Sequence, residues 1–164
     1  MKGFLVLVAA LSLSAPALAY EVNGLKLGGR ELDVKKAFPS AHCKALEWKT
    51  DAADRRCDDA RISVGGVPGK ITVFLRADAI QAFDLRFDTR DLERLKEVLK
   101  VRWGKPLAEA TEVITRKDKD DRKVFKMRWE QGADVALLVS QLEKKRVSLE
   151  VSRGKFADEI YRVR

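Results

Sequence analysis

One histidine, His42, and two cysteines, Cys43 and Cys57, are the whole supply of the side chains most used for metal binding and nucleophilic catalysis. A zinc centre needs three or four ligands of the histidine, cysteine or carboxylate kind, and a cysteine–histidine nucleophile pair needs a free thiol. In an oxidising compartment two cysteines in a small domain pair most simply with each other, which leaves no thiolate; the alternative is a pair of free thiols. His42 then reads as an ordinary surface or strand-edge residue. The glycines of Gly28-Gly29 and of Gly65-Gly66-Val67-Pro68-Gly69 match neither a phosphate-binding loop nor a dinucleotide fingerprint. The three aspartates between Lys117 and Lys123 lack the spacing and the glycine of a calcium loop. No cofactor, metal or catalytic residue is therefore expected. After Tyr20 there is no apolar run approaching the roughly 20 residues that a membrane-spanning helix needs.

The first 19 residues are of a different kind from the rest. Lys2 is followed by an apolar stretch from Phe4 to Leu13, and Ala17-Leu18-Ala19 supplies a small-x-small ending. These are the three parts of a cleavable secretory signal, which predicts an exported, periplasmic or secreted product beginning at Tyr20. No cysteine lies near the cleavage point, so an N-terminal lipid is not expected. Residues 20–164 make a comfortable single domain, large enough to bury about two thirds of its unfolded surface without a metal.

The chain carries 33 Lys and Arg against 25 Asp and Glu, and Lys2 is the one charge before Tyr20, so the exported part is near +7. Export makes nucleic acid an unexpected partner. An acidic envelope protein or polymer is the natural counterpart of such a charge. Both signs are mixed along a chain that is 35% charged, so a plainly solvated surface accounts for the same numbers. Two basic clusters are candidate partner-binding residues: Lys144-Lys145-Arg146, and Arg162 with Arg164.

Periodicity predicts an α+β fold of antiparallel meanders packed with one short and one long helix. Glu31 to Phe38, stopped by Pro39, is the short helix, with Leu32, Val34, Ala37 and Phe38 as its apolar positions. Alternation predicts strands at Lys44–Lys49, Arg61–Val64, Lys70–Leu75 and Ile80–Phe87. The turns between the last three are Gly65 to Gly69 and Arg76-Ala77-Asp78. The long helix runs from Thr89 to Trp103, capped by Asp88 or Thr89, with Leu92, Leu95, Leu99 and Trp103 on one face. Gly104 and Pro106 end it. Strands follow at Glu112–Arg116, Val124–Glu130, Val135–Val139 and Val147–Val151, with Lys117–Lys123 as a charged turn. A short helix is expected in Lys155–Arg164, using Phe156, Ile160 and Tyr161. Cys43 and Cys57 would staple a hairpin or a helix-to-strand connection, worth about 3 kcal/mol for a loop of that size. The halves 20–87 and 88–164 share a layout that hints at an internal duplication.

Gly24-Leu25-Lys26-Leu27-Gly28 followed by Asp33-Val34-Lys35-Lys36-Ala37-Phe38-Pro39 resembles the opening of small envelope proteins of the SmpA/OmlA type. The tandem layout resembles that of the β-lactamase inhibitor protein, and Trp103-Gly104-Lys105-Pro106 is similar to the helix ends of many small periplasmic proteins. The resemblance implies helix-led units on a small antiparallel sheet, and it carries no functional residue. The function expected is non-enzymatic binding in the cell envelope. The alternative is a small envelope hydrolase using carboxylates the sequence does not identify; adjacent acids such as Asp58-Asp59 are of the kind glycoside cleavage uses.

Overall fold

The computed structural model describes residues 20–117, 119–141 and 143–162; the expected signal segment lies outside them. Among these residues eight strands form one antiparallel sheet. The chain runs α1 (Glu31–Ala37), β1 (His42–Ala45), β2 (Arg55–Val64), β3 (Val67–Arg76), β4 (Ala79–Phe87), a 3-10 turn (Thr89–Asp91) and α2 (Leu92–Trp103). It continues through β5 (Ala108–Arg116), β6 (Lys119–Gln131), β7 (Asp134–Gln141) and β8 (Arg146–Arg153) to α3 (Phe156–Glu159). The strand order is β1-β2-β3-β4-β8-β7-β6-β5. Each half is thus a helix followed by a four-strand meander, and the halves join through their last strands, β4 and β8.

One face of the sheet carries the main core. Strand alternation sends Ile71, Val73 and Leu75 of β3, Phe83, Leu85 and Phe87 of β4, Leu138 of β7 and Leu149 and Val151 of β8 to that face. There they meet Val34 and Phe38 of the first helix region and Leu92, Leu95 and Leu99 of α2. Leu32, included in the expected helical stripe, faces solvent instead. At position 34 the side chain is fully buried while Leu32 is 61% exposed, because Val34 and Phe38 lie four apart on the sheet-facing side. Three aromatics close one end of this core. Tyr20 meets Trp103 edge-on at 5.2 Å, Trp103 meets Trp129 edge-on at 5.6 Å, and Trp129 Nε1 donates to the Gly104 carbonyl at 3.0 Å.

Several element boundaries differ from the sequence reading, each for a local reason. The strand expected at Lys44–Lys49 is His42–Ala45. Leu46 and Trp48 leave it to pack beneath α3, where Trp48 Nε1 donates to the Ile160 carbonyl at 2.9 Å. Strand β2 begins at Arg55, six residues earlier than its apolar part, because a bulge lies between Asp59 and Ile62. The Asp59 carboxylate accepts the Arg61 N–H at 2.9 Å and the Ser40 hydroxyl at 2.8 Å, which holds that bulge in place. The turn after β2 is confined to Gly65 and Gly66, whose φ values of 57° and 81° suit glycine; Val67, Pro68 and Gly69 belong to β3. Residues 119–123, expected as a charged turn, extend β6, and β5 begins at Ala108 instead of Glu112. The C-terminal helix is limited to Phe156–Glu159, and Tyr161 lies 77% exposed, stacked on Trp48. Cys43 and Cys57 stand directly opposite in the β1–β2 register and are joined as a disulfide, the hairpin staple expected. Among the described residues no helix is long and apolar enough to cross a membrane.

Candidate functional site

Among the described residues, no long helix covers the second face of the sheet. A small second core, Phe74 and Ala82 under Phe156 and Ile160 with Ala52, Ala53, Leu46 and Trp48, covers one corner. The rest is built by the residues that alternate with the core positions. Reading across the register, Asp58 of β2 lies opposite Thr72 of β3, Thr72 opposite Asp84 of β4, and Asp84 opposite Glu150 of β8. One step along the strands, Lys70 lies opposite Arg86 and Arg86 opposite Ser148, with Arg146 two residues before Ser148. An acidic row and a basic end therefore share one open surface.

At the basic end Ala60, Pro68, Gly69, Lys70, Arg86, Phe87, Asp88, Lys145 and Arg146 line an open groove of about 610 Å³. Gly69 forms part of its floor for a steric reason: a Cβ there would sit 2.7 Å from the Phe87 ring and 2.9 Å from the Arg86 carbonyl oxygen. The β7–β8 turn that delivers Lys145 is tied to the start of α2, where Thr89 Oγ1 donates to the Lys144 carbonyl at 2.9 Å. Asp88 caps the 3-10 turn Thr89–Asp91 by accepting the Arg90 N–H at 2.9 Å; with the Arg90 guanidinium as the leading cause, its carboxyl is held below the usual range. Lys70 has no carboxylate within ion-pair distance among the described residues.

The groove continues into a cleft of about 150 Å³ that Asp58 and Asp84 share with Lys70 and Arg86. Both acids have partners. Thr72 Oγ1 donates to Asp58 at 2.7 Å, the Arg56 guanidinium lies 3.1 Å from Asp58, and Arg86 Nε donates to Asp84 at 3.2 Å. Burial pushes the Asp84 carboxyl above the ordinary range, against the pull of Arg86. Burial also raises Glu150, and the neighbouring Asp84 charge adds to it, opposed by a hydrogen bond from Ser152. Beside this pair, Phe74, Ala82, Phe156, Ile160 and Tyr161 enclose a niche of about 30 Å³, room for a water or two.

Of the two basic clusters expected from sequence, the structure brings Lys145 and Arg146 to the groove. Lys144 is exposed on the turn and Arg162 is exposed beyond α3; neither lines it. Arg164 lies outside the described residues. Lys70 and Arg86 were missed, although both sit at the polar positions of alternating strands, and only the register shows that they face Arg146. Asp58 and Asp59 both line the cleft, but they do not form a free carboxylate pair: Asp58 is engaged by Thr72 and Arg56, and Asp59, 6% exposed, is spent on the bulge. His42 is exposed, opposite Asp58 in the β1–β2 register. Glu31 approaches Cys43 and Cys57 closely enough to resemble a ligand group, but both sulfurs are used in the disulfide. Comparison with known proteins finds no matching family model, curated protein or solved structure.

Proposed function

We propose that the exported chain is a binding protein of the cell envelope whose open sheet face takes an anionic partner at the Lys70–Arg86–Lys145–Arg146 groove. The observation that carries this reading is the groove itself: strands β3, β4 and β8 and the β7–β8 turn converge four cations on one uncovered surface. A binding role is favoured over hydrolysis because Asp58 and Asp84 are engaged by Thr72, Arg56 and Arg86, and the Asp84–Glu150 niche is too small for a substrate. The disulfide and the apolar segment before Tyr20 support export into an oxidising compartment. The shared order of helix and four-strand meander supports reading the halves as copies of one unit, as the family resemblance implies.

The test is association of the purified exported protein with surface-captured polyglutamate, an acidic polymer probe. Exposed charges act over a Debye length of about 10 Å at 0.1 M salt and 3 Å at 1 M, so the association rate falls steeply over that range while dissociation changes less. Lys70→Gln with Arg146→Gln lowers the association rate and flattens its salt dependence, leaving thermal stability nearly unchanged. Arg86 is left in place because removing it would strand the Asp84 carboxylate. Salt-independent binding, or binding untouched by the double variant, rejects the reading.

A further inference from the structure

The two edges of the sheet are built differently. Strand β1 is four residues long and tied to β2 by the disulfide, a blunted edge that offers little to a neighbouring chain. At the other edge β5 runs nine residues without proline, paired on one side by β6 and unpaired on the other among the described residues. Its exposed apolar side chains are concentrated: Val113 is 56% exposed, Ile114 43%, and Leu107, just before the strand, 68%. Natural sheet edges of this length are usually protected by inward charges, proline or a covering loop.

We infer that β5 is the dimerisation edge of the protein, pairing antiparallel with β5 of a second copy about a two-fold axis at Val113. The argument for a second copy is that the strand is complementary to itself in this register. Val113 meets its own counterpart and Thr111 meets Thr115, while Glu112 meets Ile114 and Ala110 meets Arg116. No like charges are opposed, and the apolar pair at the axis and the flanking threonine pairs are combinations that stabilise neighbouring strands. Shifting the axis to Glu112 would set that carboxylate against its copy, which disfavours that register. Glu109 already draws Lys96 and Lys100 of α2 to 3.5 and 3.2 Å, which holds the strand against its own helix and leaves its free edge outward. A two-fold perpendicular to the sheet keeps the helices of both copies on one side and makes the open faces continuous. This inference is independent of the anionic groove, which lies three strands away on β3, β4 and β8.

Sedimentation equilibrium of the exported chain tests it. The expected mass is that of a dimer, and Val113→Lys, which sets two ammonium groups on the axis, gives a monomer with unchanged circular dichroism. As a second readout, Val113→Cys forms an intermolecular disulfide on mild oxidation, whereas Leu32→Cys, comparably exposed on α1, does not. A monomer at every concentration, or a dimer that survives Val113→Lys, overturns the inference. Polyglutamate binding by Val113→Lys stays intact in either case, which separates this result from the groove reading.

Discussion

Asp84 and Glu150 stand opposite one another across the β4–β8 seam, one carboxylate from each half of the chain, with burial raising both above the ordinary carboxylate range. Two acids on neighbouring strands of a partly covered surface oppose each other's ionisation, so the seam between the halves carries an unfavourable electrostatic contact.

That relationship sets a pH dependence. A carboxyl whose folded pKa lies above its unfolded value makes the folded state bind more protons in the window between them. Its stabilising contribution is complete below the unfolded value, about 4, and is lost as pH rises through the raised folded value. Glu150→Gln should therefore be more stable than the parent near pH 8, with the advantage shrinking towards about pH 4. Urea midpoints of the two proteins across that range check it; a difference that grows on acidification contradicts the assignment.

The face of α2 that packs on the sheet is core. Leu99 is fully buried, and Leu99→Ala should cost about 2–5 kcal/mol. Leu32→Ala, on the solvent side of α1, should stay within about 0.5 kcal/mol. Denaturant unfolding of both variants measures the contrast.

The staple between Cys43 and Cys57 joins β1 to β2 at the margin of the main core, where Cys57 is buried. Non-reduced peptide mapping should recover the two cysteines as one linked peptide. Replacing both with alanine should lower stability by about 2–4 kcal/mol while leaving the circular dichroism spectrum in place. Two alkylatable thiols in the native exported protein would contradict this.

Tyr20 is 5% exposed and packs against Trp103, so the first residue of the expected mature chain is part of the core. Intact mass of periplasmic protein should begin at Tyr20. Tyr20→Ala should cost about 3 kcal/mol, as loss of a buried aromatic does, and should raise the exposure of the indole of Trp103 to fluorescence quenchers.

Much of the architecture was legible because it rests on local periodicity. Leu92, Leu95 and Leu99 mark one helix face, Phe125, Met127 and Trp129 one strand face, and Gly104 and Pro106 an ending, each through backbone geometry that neighbouring residues impose on one another. Strand ends were less legible where polar residues continue a strand past its apolar part. Arg55–Ala60 and residues 119–123 are largely polar in sequence, and hydrogen bonds to adjacent strands, which leave no trace in composition, keep them extended.

The candidate site was partly legible for the same reason. Lys145 and Arg146 are adjacent in the chain and were visible as a cluster; Lys70 and Arg86 are not, and they join it only because β3, β4 and β8 are consecutive in the sheet. The sequence alone determined which residues alternate, where the long helix ends, the charge balance and the cysteine pair, all properties of short stretches of chain. Tertiary structure alone decided that β4 meets β8. That one pairing sets Asp84 against Glu150, gathers the basic groove and leaves β5 at an open edge, because strand order depends on contacts between residues far apart in sequence whose energies are summed only in the folded chain.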